Sequence, residues 1–259
     1  MSKLLSKLDK ISKGSPAPLG FGAANREEKV PAMVLVGRLS QNYAQGAARL
    51  AKVQVDGALL EGEGLDGKLK DIVGALGKVP WGIAPRDLDD KQAGALLEEG
   101  CDFFLVESEQ AKVEAMKADD GAAYLLSLPE DPGEAYLRAI DCLPVDAVLM
   151  SMNSLEPPLT LQHLITIGSV RTMLDKYLML EVPTNLSSKE IEGLRDLGVD
   201  ALVVDAGRSS EKVLAGLKEK LLGLPRQRKS RSERMSPILP SVSTAGASAR
   251  DDDDEDEEY

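Results

Sequence analysis

Glu61, Glu107, Ser151 and Asp205 share a context that sets them apart from the other polar residues of the chain. Each stands five places after an aspartate, at the end of a mostly apolar run: VDGALLEG from Val55, CDFFLVES from Cys101, VDAVLMSM from Val145 and VDALVVDA from Val199. The aspartates are Asp56, Asp102, Asp146 and Asp200, at separations of 46, 44 and 54 residues. In a strand, alternate residues face opposite ways. If Ala58 and Leu60, Phe104 and Val106, Val148 and Met150, and Leu202 and Val204 face helices, the four polar residues face away from them, together. Carboxylates brought together must be protonated, paired with arginine or bound to a cation, and each outcome is usable chemistry.

A second type of apolar run alternates with the first and ends in proline: WGIAP at Pro85, YLLSLP at Pro129 and YLMLEVP at Pro183. Two places before these prolines stand Ile83, Ser127 and Glu181. The first run, AMVLVGRLS, ends in Gly37 and Arg38; Arg86 follows Pro85, and Asn153 and Asn185 lie just past two later runs. The expected rim therefore holds Glu61, Glu107, Glu181 and Asp205 as acid/base candidates. Glu107, Glu181 and Asp205 could ligate Mg²⁺ or Mn²⁺ that polarises a carbonyl or enolate. The plainer account is an ion-paired rim in which Arg38 and Arg86 neutralise two of the acids. In DAGRSSEK, Gly207 leads through Arg208 to Ser209 and Ser210 at a helix start, where free N–H groups and the helix dipole favour an anion. Ser209 as an ordinary N-cap explains that serine equally simply. Arg38, Arg86, Arg208, Ser151, Asn153, Asn185, Gly207 and Ser209 are the expected substrate contacts.

These residues need a frame. Apolar, β-rich runs fall at 32–38, 53–61, 81–85, 102–107, 122–128, 145–151, 177–182 and 199–205. Helix-period stretches lie between or after them, at 40–52, 65–78, 88–99, 109–118, 133–142, 159–175, 187–197 and 209–223. Eight strands and eight helices in strict alternation predict parallel strands with crossover helices. Two alternating strand types, repeating about every 45 residues, suit a closed (β/α)₈ barrel, whose interior layers come alternately from odd and even strands. An α/β (β/α)₈ TIM barrel is predicted over 31–224, with an open Rossmann-like sheet as the runner-up. The phrase aspartates then mark the bottom of the barrel, as structural acceptors for turn N–H groups. The residues five places on mark the top, where barrel enzymes place their chemistry.

Residues 1–30 form a separate leader. Leu4, Leu5, Leu8 and Ile11 share one helical face with lysines around the other, and a Gly/Pro-rich connector follows. Such a basic amphipathic helix suits a membrane surface, a protein partner or its own domain. Residues 225–259 run from basic through Ser/Pro/Ala-rich to eight consecutive acids, a composition that predicts disorder.

Composition narrows the function. The chain has 259 residues, 43% of them hydrophobic, and a net charge of −12. The first 30 residues carry six basic and three acidic side chains and the last 35 carry six and nine, so the predicted barrel itself is strongly acidic. An acidic surface with only 3% aromatics excludes a nucleic-acid partner. Two cysteines without metal spacing and a leader without an apolar core fit a reducing cytoplasm, and no apolar run reaches bilayer length. No lysine or histidine falls at a strand's C-terminal end, which argues against Schiff-base or histidine chemistry.

The cadence GVDALVVDAG and the glycine-containing exit from the last strand resemble aldolase-type and ribulose-phosphate-binding barrels. The resemblance spans 31–224 and is architectural. It implies a substrate phosphate held by backbone amides of the loops after strands seven and eight, with Gly207, Arg208 and Ser209 in the second loop. The first loop, VPTNLSS at 182–188, lacks the family's glycine. The expected function is a lyase- or isomerase-type enzyme acting on a small anionic metabolite. The alternative is a non-catalytic barrel scaffold working through its amphipathic start and charged tail.

Overall fold

The computed structural model describes residues 1–12, 31–62, 65, 67–107, 111–116, 121–129, 131–152 and 155–224. The predicted disordered tail, the connector and Asn153 lie outside these residues.

Eight parallel strands close into a barrel in sequence order, with β8 pairing β1. They are β1 Val34–Leu39, β2 Gly57–Glu61, β3 Trp81–Ala84, β4 Phe103–Val106, β5 Ala123–Ser127, β6 Ala147–Met150, β7 Tyr177–Glu181 and β8 Ala201–Asp205. Every predicted strand is present, and closure removes the open-sheet alternative. The helices are α1 Lys3–Ser12, ahead of the barrel, then α2 Tyr43–Val53, α3 Leu69–Leu76, α4 Asp90–Glu98, α5 Glu134–Asp141, α6 Leu161–Thr172, α7 Ser188–Asp196 and α8 Glu211–Gly223. One crossover departs from expectation. In place of a helix at 109–118, the described residues hold a 3₁₀ turn, Val113–Met116. Only Met116 of its described side chains packs against the core, and partly, while Val113 is exposed, so the described turn offers a single apolar contact where a crossover helix would present a stripe.

Two apolar clusters follow from strand alternation. Ala58, Leu60, Phe104, Val106, Val148, Met150, Leu202 and Val204 pack outward against the helices, as the sequence parity requires. Val34, Val36, Leu59, Phe103, Leu105, Leu125, Leu149, Met179 and Val203 fill the interior. Strand β3 breaks the proline-counted parity: Ile83 belongs to the outer cluster and Ala84 to the inner one. Gly82 shares the inward face with Ala84 and abuts the Phe103 ring. A side chain at Gly82 would meet the ring within 2.4 Å, so glycine is what leaves it room.

The bottom of the barrel is sealed by α1. Leu4 and Leu8 are fully buried among the interior residues, and each such burial contributes about 1.5–3 kcal/mol. The apolar face that suited a membrane, a partner or the domain itself is thus taken up by the domain. Polar contacts fix the helix: Lys7 Nζ lies 3.3 Å from Asp56 Oδ1, and the Tyr177 hydroxyl donates to Asp9. Burial and the Asp9 carboxylate both hold the Tyr177 phenol above its ordinary pKa.

The phrase aspartates are structural, but their partners differ from the expected turn amides. Asp56, Asp146 and Asp200 accept from the N–H of Leu35, Tyr124 and Leu178 at 3.1, 2.9 and 2.8 Å. Their own N–H groups donate to the carbonyls of those same residues. Each is the second residue of the preceding odd strand, where the ladder has begun on one side only; the aspartate completes it. Asp102 keeps the backbone half of this pattern, donating to the Trp81 carbonyl at 2.7 Å. Its carboxylate turns instead to α1, accepting from Ser2 Oγ at 2.7 Å and from the N–H of Lys3 and Leu4 at 2.7 and 2.9 Å. One member of the repeat has become the N-terminal anchor of the plug helix.

Candidate functional site

At the opposite end, strand alternation brings the predicted rim together around one side chain. Arg38 projects from the end of β1 into the mouth. Its Nε donates to Glu61 Oε1 at 2.8 Å, Nη1 to Glu181 Oε2 at 3.0 Å and Nη2 to Glu107 Oε1 at 3.1 Å. β2, β7 and the residue just past β4 thus each supply a carboxylate to a single guanidinium. Ser151, just past β6, donates to the same Glu181 oxygen at 2.7 Å. Burial works against the charge of Arg38, but Glu181, Glu61 and Glu107 outweigh it and raise its pKa above the ordinary value. The planar five-donor fork of arginine is what allows three carboxylates at once.

The fourth predicted acid goes elsewhere. Asp205 lies 3.5 Å from Arg208 Nε and accepts the Arg208 N–H at 3.1 Å. Glu107, Glu181 and Asp205 therefore do not form the metal-ligand set read from the sequence. A guanidinium stands between the first two and the third serves its own loop. Among the described residues no group of three or more His, Cys, Asp or Glu is arranged to hold a metal ion. The residues as they stand do not fit a divalent cation; the ion-paired rim describes them, with Arg38 alone collecting three acids. Arg86 sits on the exposed turn after β3.

Beside this cluster, the β7–α7 and β8–α8 loops line an open cavity of about 510 Å³. It is lined by Val182, Asn185, Asp205, Arg208, Ser209 and Ser210 among others. Asp205 belongs to both features: it lines the cavity and is level with Arg38 in the β1–β8 ladder. The predicted contacts Asn185, Arg208 and Ser209 thus come together here. Gly207 lies in the same loop without lining the cavity. Ser210, not Ser209, is the N-cap of α8, its hydroxyl accepting from Val213 N–H at 3.4 Å. The Ser209 hydroxyl donates to the Asp205 carbonyl instead.

Gly207 has a specific reason to be glycine. A Cβ there would stand 2.7 Å from the Gln41 carbonyl oxygen, a backbone atom that cannot rotate away. Gly207→Ala is expected to displace the β8–α8 loop from the β1–α2 loop and to destabilise the fold by about 1–3 kcal/mol. Urea unfolding of the variant beside the parent checks this. An unchanged midpoint would show that the two loops separate at no cost.

The contribution from α2 has no counterpart in the strand-end pattern. Tyr43 donates its hydroxyl to the Glu61 carbonyl at 3.2 Å, and Arg49 donates to the carbonyls of Gly207 and Ser209. Neither residue stands at a strand end, and one-dimensional spacing carries no information on which crossover helix leans over which loop.

No family model matches the chain, and no curated protein sequence does. Solved structures match through the fold. The chain is similar to KGPDC from Streptococcus mutans at 12% identity and a TM-score of 0.58, over 73% of this chain and 97% of that one. It is similar to the tryptophan synthase α-subunit of Pyrococcus furiosus at 12% identity and a TM-score of 0.55, over 75% and 99%. A structure described as native KDPGal matches at 13% identity and a TM-score of 0.52, over 73% and 92%. At such identities the likeness is one of architecture. The chain shares with these structures the closed eight-stranded barrel fold.

Proposed function

We propose that the protein is an enzyme of lyase or isomerase type acting on a small anionic, phosphorylated metabolite. The reading is carried by one juxtaposition: carboxylates gathered on Arg38 at the barrel mouth, adjoining a cavity that opens onto the start of α8. A phosphate or carboxylate in the cavity would meet Arg208, Asn185, Ser209 and the first amides of α8, where the helix dipole adds attraction. The reacting carbon would then lie toward the carboxylates. Glu181, fixed by donors from both Arg38 and Ser151, orients a substrate hydroxyl. Glu107 is held only through Oε1, is the most exposed of the three at 45%, and takes or returns the proton at Oε2. Arg38 keeps these groups in register and faces negative charge as it develops on an enediolate or carboxylate oxygen. The same loops hold substrate phosphate in the barrels this chain resembles, which supports the reading.

The test is thermal unfolding of the full chain with inorganic phosphate, sugar phosphates and keto acids. A matching ligand at about a hundred times its Kd contributes about 2.7 kcal/mol, several degrees in midpoint for a domain of this size. Glu107→Gln should keep that shift and lose turnover about 10²–10⁴-fold once a substrate is found. If no phosphate or keto acid moves the midpoint, the enzyme reading falls and the barrel is a scaffold.

A further inference from the structure

Arg49 lies on α2, outside the cavity, and touches the β8–α8 loop from behind. We propose that Arg49 is a positioning residue for the anion-binding loop: it fixes the peptide between Ser209 and Ser210 so that the Ser210 N–H faces the cavity. The inference rests on the anion reading above. It adds the device that presents the donor, and assigns it to a residue that no strand-end rule would select.

Topology supplies the two sides of the loop. Strand β8 lies between β7 and β1, so the loop after it has one flank toward the β7–α7 loop and the other toward α2. The cavity occupies the first flank, lined by Asn185, Ser209 and Ser210. Arg49 occupies the second. Its Nη1 donates to the Ser209 carbonyl, its Nη2 to the Gly207 carbonyl at 3.4 Å and its Nε to the Gln45 carbonyl at 3.1 Å. Asn42 Nδ2 reaches the Gly207 carbonyl at 3.4 Å from the same side.

A trans peptide plane points its C=O and the next N–H in opposite directions. The loop shows the rule twice. The Gly207 carbonyl turns to Arg49 while the Arg208 N–H turns back to Asp205 Oδ1 at 3.1 Å. The Asp205 carbonyl takes the Ser209 hydroxyl while the Ala206 N–H donates to the Arg38 carbonyl at 2.8 Å. With the Ser209 carbonyl drawn to Arg49, the Ser210 N–H is sent to the cavity flank. A guanidinium is suited to this because its fork serves separate carbonyls at once, whereas an ammonium is a single point. The glycine at 207 allows the close approach to Gln41 that keeps the loop within reach of α2.

The experiment is calorimetric titration of inorganic phosphate into the parent, Arg49→Ala, Arg49→Lys and Lys52→Ala. Lys52 lies on the same helix and pairs with Glu211 at 3.2 Å, so it reports on loss of a nearby positive charge without loss of the loop-carbonyl contacts. Arg49→Ala is expected to weaken phosphate about tenfold, the equivalent of 1.4 kcal/mol. Arg49→Lys should weaken it by a smaller factor, Lys52→Ala should leave it within about twofold, and methylguanidinium should restore part of the affinity of Arg49→Ala. Parent-like affinity in Arg49→Ala, or an equal loss in Lys52→Ala, would overturn the inference while the anion site stands. Should Arg49→Ala fail to fold, parent-like affinity in Arg49→Lys overturns it. A parent protein that binds no phosphate removes the anion site and this inference with it.

Discussion

Arg38→Met is expected to leave Glu61, Glu107 and Glu181 facing one another without their shared counter-charge, and to lower the stability of the barrel by about 2–4 kcal/mol. The figure lies below the upper range for breaking fully buried ion pairs because the three carboxylates remain partly wetted, while Arg38 itself is only 19% exposed. Ser151 would still donate to Glu181, but Glu61 and Glu107 would lose the guanidinium bonds that hold them. The loss should shrink as salt is raised, since repulsion among partly exposed charges is screened. It should also shrink with Mn²⁺ or Ca²⁺, because a cation can enter where the guanidinium stood. Thermal melts of the parent and variant across NaCl and MnCl₂ series measure both effects. A variant as stable as the parent would show that the fork holds the rim in shape without stabilising it. A cation that stabilises parent and variant equally would show that Arg38 does not occupy the cation's place.

The second large effect is expected at the other end of the barrel. Asp102→Ala should cost about 2–4 kcal/mol and Asp146→Ala about 1–2, although the two aspartates occupy equivalent places in the repeat. Asp146 accepts a single strand N–H, from Tyr124. Asp102 accepts from one hydroxyl and two amides at the start of α1, so its removal leaves several donors without an acceptor and frees the plug helix. Once α1 frays, Leu4 and Leu8 leave the interior and the faces of Val34, Leu59 and Phe103 open to water. Urea unfolding gives both values. The denaturant slope of Asp102→Ala should fall as well, because its native state already exposes part of that surface. Equal losses at the two positions would mean that α1 does not depend on its anchor.

Strand alternation explains why so much of the rim was legible in one dimension. Side chains alternate with period two, so a helix-facing Leu202 and Val204 oblige Asp205 to face inward. The same step places Glu61, Glu107 and Ser151. The count failed at β3, where Pro85 directly follows the inward residue, so the inward position is Ala84 and not Ile83. It also gave a helix at 109–118 where the described residues hold only the 3₁₀ turn Val113–Met116, with no fully buried side chain among those described. The sequence of eight strands and most of the crossover helices between them were readable, because each is set by local pattern.

The choice of partners was not readable. By itself the sequence determined that polar residues end the strands of an alternating, repeating α/β chain, because hydrophobic periodicity fixes which side of a strand is buried. Tertiary structure decided that one arginine would collect three carboxylates while Asp205 turned to Arg208. It also decided that Asp102 would anchor a helix a hundred residues earlier in the chain, and that Arg49 would brace a loop 160 residues later. Those contacts depend on barrel closure, which brings β8 beside β1 and opens the bottom to α1. Closure is a property of eight strands together, and no single stretch of sequence contains it.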